Sequence, residues 1–180
     1  MIPTATSEKE YNITMIILGI DPGTATTGYG VLSTEKDILD ALSFGLIETD
    51  KDGQAGDRLI NINKQFNALI KEIKPDIIAI EKLFFAANAK TAMSVGQAIG
   101  VIIFTAAKNK ISIVEYAPGT IKKMVAGNGR ADKKLVQQAV RKVLGAKVRS
   151  KNHGKTHFDN SADALAVALC HAYKLQKGGE

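Results

Sequence analysis

The chain carries one cysteine, Cys170, in 180 residues. That excludes a disulfide framework and any four-cysteine zinc module, and it suits a reducing compartment. Long apolar runs are missing too: the longest, Ala98 to Ala107, falls well short of the roughly 20 residues a bilayer span needs. No cationic stretch followed by an apolar segment opens the sequence, so no secretory signal and no membrane contact are expected, and the expected setting is the cytoplasm. The three histidines, His153, His157 and His171, lack the spacing of a zinc-binding helix. Repeats and dividing linkers are absent. Acidic residues run short in one region only: residues 108–157 hold 13 Lys/Arg against 2 Asp/Glu.

What remains is ordinary globular material, 45% hydrophobic and 23% charged, enough for one α/β domain with a full core. The net charge of +6 is unevenly spread. Residues 1–107 sum to −4, residues 108–157 to +11 and residues 158–180 to −1. A 50-residue segment this basic, set against an acidic remainder, would hold nucleic-acid phosphates by counterion release.

Residues 1–14 are polar and unpatterned and read as an extension, 15–175 as a single domain, and 176–180 as a tail. Met15 to Ile20 has the unbroken apolar character of a central strand, ending at the turn Asp21-Pro22-Gly23-Thr24. Tyr29 to Ser33 and Ala41 to Glu48 extend it into an antiparallel meander. Asp57 to Ile73 has helical 3–4 spacing and stops at Lys74-Pro75-Asp76. Ile77 to Ile80 is a second apolar strand ending at Glu81, Asn88 to Asn109 is helical, and Ile111 to Tyr116 is a strand. A short helix from Pro118, a basic amphipathic helix from Ala131 to Leu144, a loop over 145–157 and a helix from Ser161 to Tyr173 complete the chain. The expected order, β-β-β-α-β-α-β-α-α, is that of a mixed-sheet α/β layer structure.

Asp21 and Glu81 each end an apolar strand. Strands joined by a crossover helix run parallel, so both carboxylates fall on one sheet edge, where ligands of open α/β sheets gather. There they repel each other unless a cation sits between them. Either residue alone reads equally as a turn or cap residue. Asp163, expected in the first turn of the last helix, supplies a third carboxylate among alanines that permit close packing on the sheet. An all-oxygen set of this kind suits Mg²⁺ or Mn²⁺, and two hard cations there can drive in-line phosphodiester hydrolysis.

Ile17-Leu18-Gly19-Ile20-Asp21-Pro22-Gly23-Thr24, Thr27-Gly28-Tyr29-Gly30, Ala79-Ile80-Glu81 and Ala162-Asp163-Ala164-Leu165-Ala166-Val167-Ala168, taken in order, resemble RuvC-type Holliday junction resolvases from about Met15 to Tyr173. The resemblance implies a ribonuclease H-like fold with a mixed five-stranded sheet flanked by helices. It also implies a homodimer, four-way junction DNA as substrate, and nicking of two opposed strands in recombination and repair with two Mg²⁺ per site, Mn²⁺ substituting. A branch-migration motor is a further implied partner. Asp21, Glu81 and Asp163 match three of the family's four metal-binding residues, and the fourth position, three before Asp163, holds Asn160. An amide offers one neutral oxygen where a carboxylate offers a charge. Asp159 serves in its place if residues 158–160 are loop; either residue also suits a helix N-cap, and an Asp→Asn replacement is a further reading.

The phenylalanine matching Phe84 stacks on an unpaired base in the family, and Phe85 stands beside it in the same predicted loop. Lys122 and Lys133 match lysines beside the active site, where they contact phosphate or stabilise transition-state charge. Lys123, Arg130 and Lys134 surround Gly127-Asn128-Gly129 as further DNA contacts. Gly96 and Gly100 mark either a dimer face or internal packing. Two other functions compete: a junction-binding module that cuts poorly, supported by Asn160, and a nucleotide-binding relative of the actin, heat-shock and sugar-kinase superfamily, which needs two such domains.

Overall fold

The computed structural model describes residues 14–35, 38–83, 91–145 and 155–178, the last segment in backbone alone up to residue 160. Strands β1 (Met15–Asp21), β2 (Thr26–Glu35) and β3 (Ile38–Glu48) form the meander, and helix α1 (Ala55–Ile73) leads to β4 (Ile77–Glu81). Helix α2 (Ala92–Lys108), strand β5 (Ser112–Tyr116) and helices α3 (Pro118–Ala126), α4 (Lys133–Leu144) and α5 (Lys155–Lys177) follow. The order is β-β-β-α-β-α-β-α-α-α, and all three helices expected after β5 form: the short piece from Pro118 is a nine-residue helix in its own right, with Pro118 in its first turn and Gly127 closing it at φ 76°.

The sheet runs β3-β2-β1-β4-β5, antiparallel within the meander and parallel from β1 through β4 to β5. Apolar runs became the central strands because both of their faces are covered. On one side α1 and α2 bury Leu18, Ile20, Ile78 and Ile80 with Phe66 and Ile102. On the other, α3, α4 and α5 bury Ile17, Ala79 and Tyr116 with Leu165 and Leu169.

Helix α5 lies against the sheet without the usual layer of large side chains. A Cβ at Gly19 in β1 would fall on the Ala164 carbonyl oxygen and come within 2.7 Å of the Ala168 nitrogen; one at Gly30 in β2 would meet the Leu165 side chain at 2.7 Å. Glycine on the strands and alanine on the helix let the two backbones approach. The expected start of this helix at Ser161 is corrected to Lys155, two turns earlier. Ser161 lies inside the helix and sends its hydroxyl to the Gly45 carbonyl of β3 at 3.2 Å. Asp163 therefore stands in the third turn, not the first, and helix-dipole chemistry does not account for it.

Candidate active site

Asp21 and Glu81 end neighbouring parallel strands whose last matched pair is Ile20 with Ile80. They stand side by side at the carboxyl edge of the sheet. Side chains alternate along a strand, so Asp21 shares a face with Ile17 and Gly19, and Glu81 with Ala79. That face is covered by α5. Asp163 comes to the two strand ends because its neighbour Ala164 touches Gly19.

The electrostatics record this meeting. Burial pushes the Asp21 carboxyl from 3.8 up to about 7, and the charges of Glu81 and then Asp163 push the same way, against Lys133. Glu81 is raised by burial and by Asp163, with Lys122 opposing. Lys133 Nζ pairs with Asp163 Oδ2 at 2.8 Å. About half of the Lys133 side chain is exposed (52%), so the pair contributes at most about 1 kcal/mol and yields readily to another cation. Glu81, Asp163, Lys122 and Lys133 line a pocket of about 220 Å³ whose apolar wall is Ile121, Val136 and Ala166.

Among the described residues no three His, Cys, Asp or Glu side chains are gathered at ion-holding distance, and Asp163 is engaged with Lys133. The donor set nevertheless fits a hard divalent cation. It offers carboxylate oxygens only, and each of the two strand carboxyls is held above its ordinary range by burial first and then by the charge of neighbouring carboxylates, both of which a bound cation would offset. Burial pushes the Cys170 thiol up to about 11, too high for a nucleophile at neutral pH.

Basic side chains frame the pocket. Lys122 on α3 is half-buried, while Lys123, Arg130, Lys133 and Lys134 stand exposed along α3, the turn after it and the start of α4. The turn is ordered: Asn128 Oδ1 accepts from the Arg130 nitrogen at 3.0 Å, and Asp132 caps α4 by accepting from Leu135 N at 2.8 Å. Phe84 and Phe85 lie outside the described residues. The backbone carries Asp159 and Asn160 inside α5, so neither is its N-cap, and residues 158–160 are not loop. By helix geometry position 159 stands about 40° to one side of position 163 and position 160 about 60° to the other. Positions 159 and 163 therefore share a helix face, and the loop on which the expectation for Asp159 depended is not present over 158–160.

Sequence reasoning missed the Lys133–Asp163 pair, which joins residues 30 apart in the chain and has no local signature. It also missed the bracing of the turn after Asp21. Thr27 Oγ1 donates to the Gly23 carbonyl at 2.6 Å, and Thr49 Oγ1 donates to the Thr24 carbonyl at 2.6 Å. Thr27, four residues past the glycine of the Pro-Gly turn, was an available signal; Thr49, 25 residues beyond Thr24, had none.

The sequence model of the family described as crossover junction endodeoxyribonuclease RuvC matches residues 17–171, nearly the whole described chain. The chain belongs to the RuvC family. It is 43% identical to the crossover junction endodeoxyribonuclease RuvC of Syntrophomonas wolfei over 162 residues, covering 90% of this chain and 91% of that one. With the RuvC of Natranaerobius thermophilus it shares 44% over 164 residues, covering 90% and 98%. The structure of Thermus thermophilus RuvC superimposes with a TM-score of 0.79 at 30% identity over 91% of this chain and 97% of that one; the same protein solved with a Holliday junction substrate gives 0.79 over 91% and 96%. A yeast mitochondrial Holliday junction resolvase shares the fold, with a TM-score of 0.67 at 15% identity over 96% and 88%. The ribonuclease H-like expectation for the fold, the mixed five-stranded sheet flanked by helices, holds.

Proposed function

We propose that this RuvC relative resolves four-way DNA junctions in recombination and repair, cutting two opposed strands by metal-assisted hydrolysis. What carries the reading is the meeting of three carboxylates from β1, β4 and α5 at one sheet edge beside a lysine-lined pocket. A family relative solved with a Holliday junction substrate names the substrate class.

Asp21, Glu81 and Asp163, with Asn160 or Asp159 completing the set, would hold two Mg²⁺, Mn²⁺ serving in their place. Bound ions supply charge neutralisation at the scissile phosphate and a more acidic water. The chain's own residues do the rest. Lys133, whose pair with Asp163 is half-exposed, and Lys122 present ammonium groups toward the phosphate and offset charge as it develops. Lys123, Arg130 and Lys134 grip flanking phosphates, and Phe84 with Phe85 supplies a stacking surface for an unpaired base. Water attacks phosphorus in line as the bond to the 3′ oxygen breaks, leaving a 5′-phosphate and a 3′-hydroxyl.

A homodimer fits this substrate, since a two-fold protein matches the junction's approximate two-fold symmetry. Support comes from α2, which exposes Met93 and Phe104, 80% and 62% accessible, and Ile103. Among the described residues a Cβ at Gly100 would meet nothing, so packing against them does not account for that glycine. Sedimentation at a mass of two chains is expected. The same reading implies work in the cytoplasm beside a branch-migration motor, to be tested by co-purification; among the described residues no helix is long and apolar enough to cross a membrane.

Asn160 favours a second reading, a junction-binding module that cuts poorly. A gel assay on a labelled four-way junction with Mg²⁺, comparing the chain with Asn160→Asp at matched binding, separates the two. Symmetric cutting by both supports the resolvase; cutting by the aspartate form alone supports the impaired module; cutting by neither overturns the site assignment.

A further inference from the structure

Arg58, in the first turns of α1, has an unusual set of contacts at the same sheet edge. Its Nε donates to Thr49 Oγ1 at 3.2 Å, and that hydroxyl donates onward to the Thr24 carbonyl. The Thr49 nitrogen also donates to the Ala25 carbonyl at 3.0 Å, so Thr49, itself buried, ties the end of β3 to the turn that follows Asp21. Only Thr49 and the turn carbonyl it holds separate the guanidinium from a backbone segment three residues past the candidate metal-binding aspartate. The stem runs close to the turn as well, since a Cβ at Gly53 would lie 3.7 Å from Arg58 Cγ.

Nothing among the described residues uses the rest of the fork. No carboxylate pairs with Arg58, although Asp50, Asp52 and Asp57 are near in sequence; Asp50 Oδ1 instead accepts from the Asp52 nitrogen at 3.0 Å. Four guanidinium N–H groups are thus left on a half-buried side chain whose orientation is already set. An arginine held in this way is shaped for a planar or tetrahedral oxyanion and has lost most of the freedom that binding would otherwise cost. The two candidate carboxylates of the strands repel such an anion, so a cation elsewhere on the same sheet edge that attracts it has a positional use.

We propose that Arg58 holds a phosphodiester group of the cut strand adjacent to the scissile one, with Thr49 as the positioning residue that aims its fork. This rests on the nuclease reading above. The test measures four-way junction binding in Ca²⁺ across a salt series for the native chain, Arg58→Ala, Arg58→Lys and Thr49→Val. Single-turnover cutting in Mg²⁺ is measured for the same set in the Asn160→Asp background, with thermal melts confirming folding. Arg58→Ala is expected to flatten the plot of log affinity against log salt by about 0.9 for each engaged arginine, and to slow cutting at saturating DNA about 10-fold or more. Arg58→Lys and Thr49→Val are expected to keep the native salt slope and still lose cutting rate, because charge survives while the aimed fork does not. An unchanged slope in Arg58→Ala overturns the proposal even if cutting falls, since Arg58 then only braces the turn. Full cutting by Thr49→Val overturns the role of Thr49. Failure of the native chain to bind junctions overturns the nuclease reading itself, and this proposal with it.

Discussion

Replacing Asp21 by asparagine should end cleavage and, at the same time, stabilise the metal-free protein. Burial above all, then Glu81 and Asp163, lifts this carboxyl to about 7, while in the unfolded chain it titrates near its ordinary value of 3.8. The folded state therefore binds this proton more tightly than the unfolded state. Stability due to Asp21 is highest below about pH 4, falls as pH rises from about 4 to 7, and stays at its lowest above that. A difference of about three units corresponds to roughly 4 kcal/mol, an upper bound because water penetrates and side chains relax. The neutral amide of nearly equal shape escapes this cost. A gain of about 1–3 kcal/mol at pH 8 follows, or roughly 2–10 °C in Tm for a chain of this size. The assay is urea and thermal unfolding in EDTA at pH 8 and pH 4. The gain should nearly vanish at pH 4, where the native carboxyl is protonated when folded. Mg²⁺ should raise the Tm of the native chain and leave the variant nearly unmoved. A variant less stable than the native chain at pH 8 in EDTA, or a difference independent of pH, would refute the buried-charge argument.

Gly19→Ala drives a methyl into the backbone of α5 and should cost at least about 1–3 kcal/mol in urea unfolding, with cutting lost as Asp163 is displaced from the strand ends. Lys133→Ala removes a half-exposed pair, so unfolding should shift by no more than about 1 kcal/mol while single-turnover cutting falls about 10-fold or more. Tyr116→Phe breaks the buried 2.7 Å hydrogen bond between the phenol and His171 Nδ1. A loss of about 1–2 kcal/mol is expected in thermal unfolding. His171 Nε2 already lacks a partner among the described residues, so the ring would be left with none.

Asp21, Glu81 and Asp163 were legible as a set because each carries a local mark: a carboxylate at the end of an apolar strand twice, and one within an alanine-rich helix. Strand character and the parallel crossover between β1 and β4 depend on hydrophobic period and chain connectivity, which are written along the sequence. The start of α5 was misread because Asp159 and Asn160 are N-cap residue types and the run before them, rich in Gly, Lys and His, carries no helical period. Gly19 and Gly30 stood out as glycines within strands, yet only packing assigns them to α5. Asp159 and Asn160 could be weighed only by helix phase, and that phase came from the structure.

The sequence by itself determined the fold class, the all-oxygen donor set and the basic arm, since composition, period and charge order are properties of the chain. Tertiary structure alone decided how far the Asp21 carboxyl is raised, which cation Asp163 holds, and where Arg58 is aimed. Those depend on burial and on distances between residues that are 9 to 142 positions apart, and Coulomb energy and desolvation respond to separation in space, of which the order of residues carries no record.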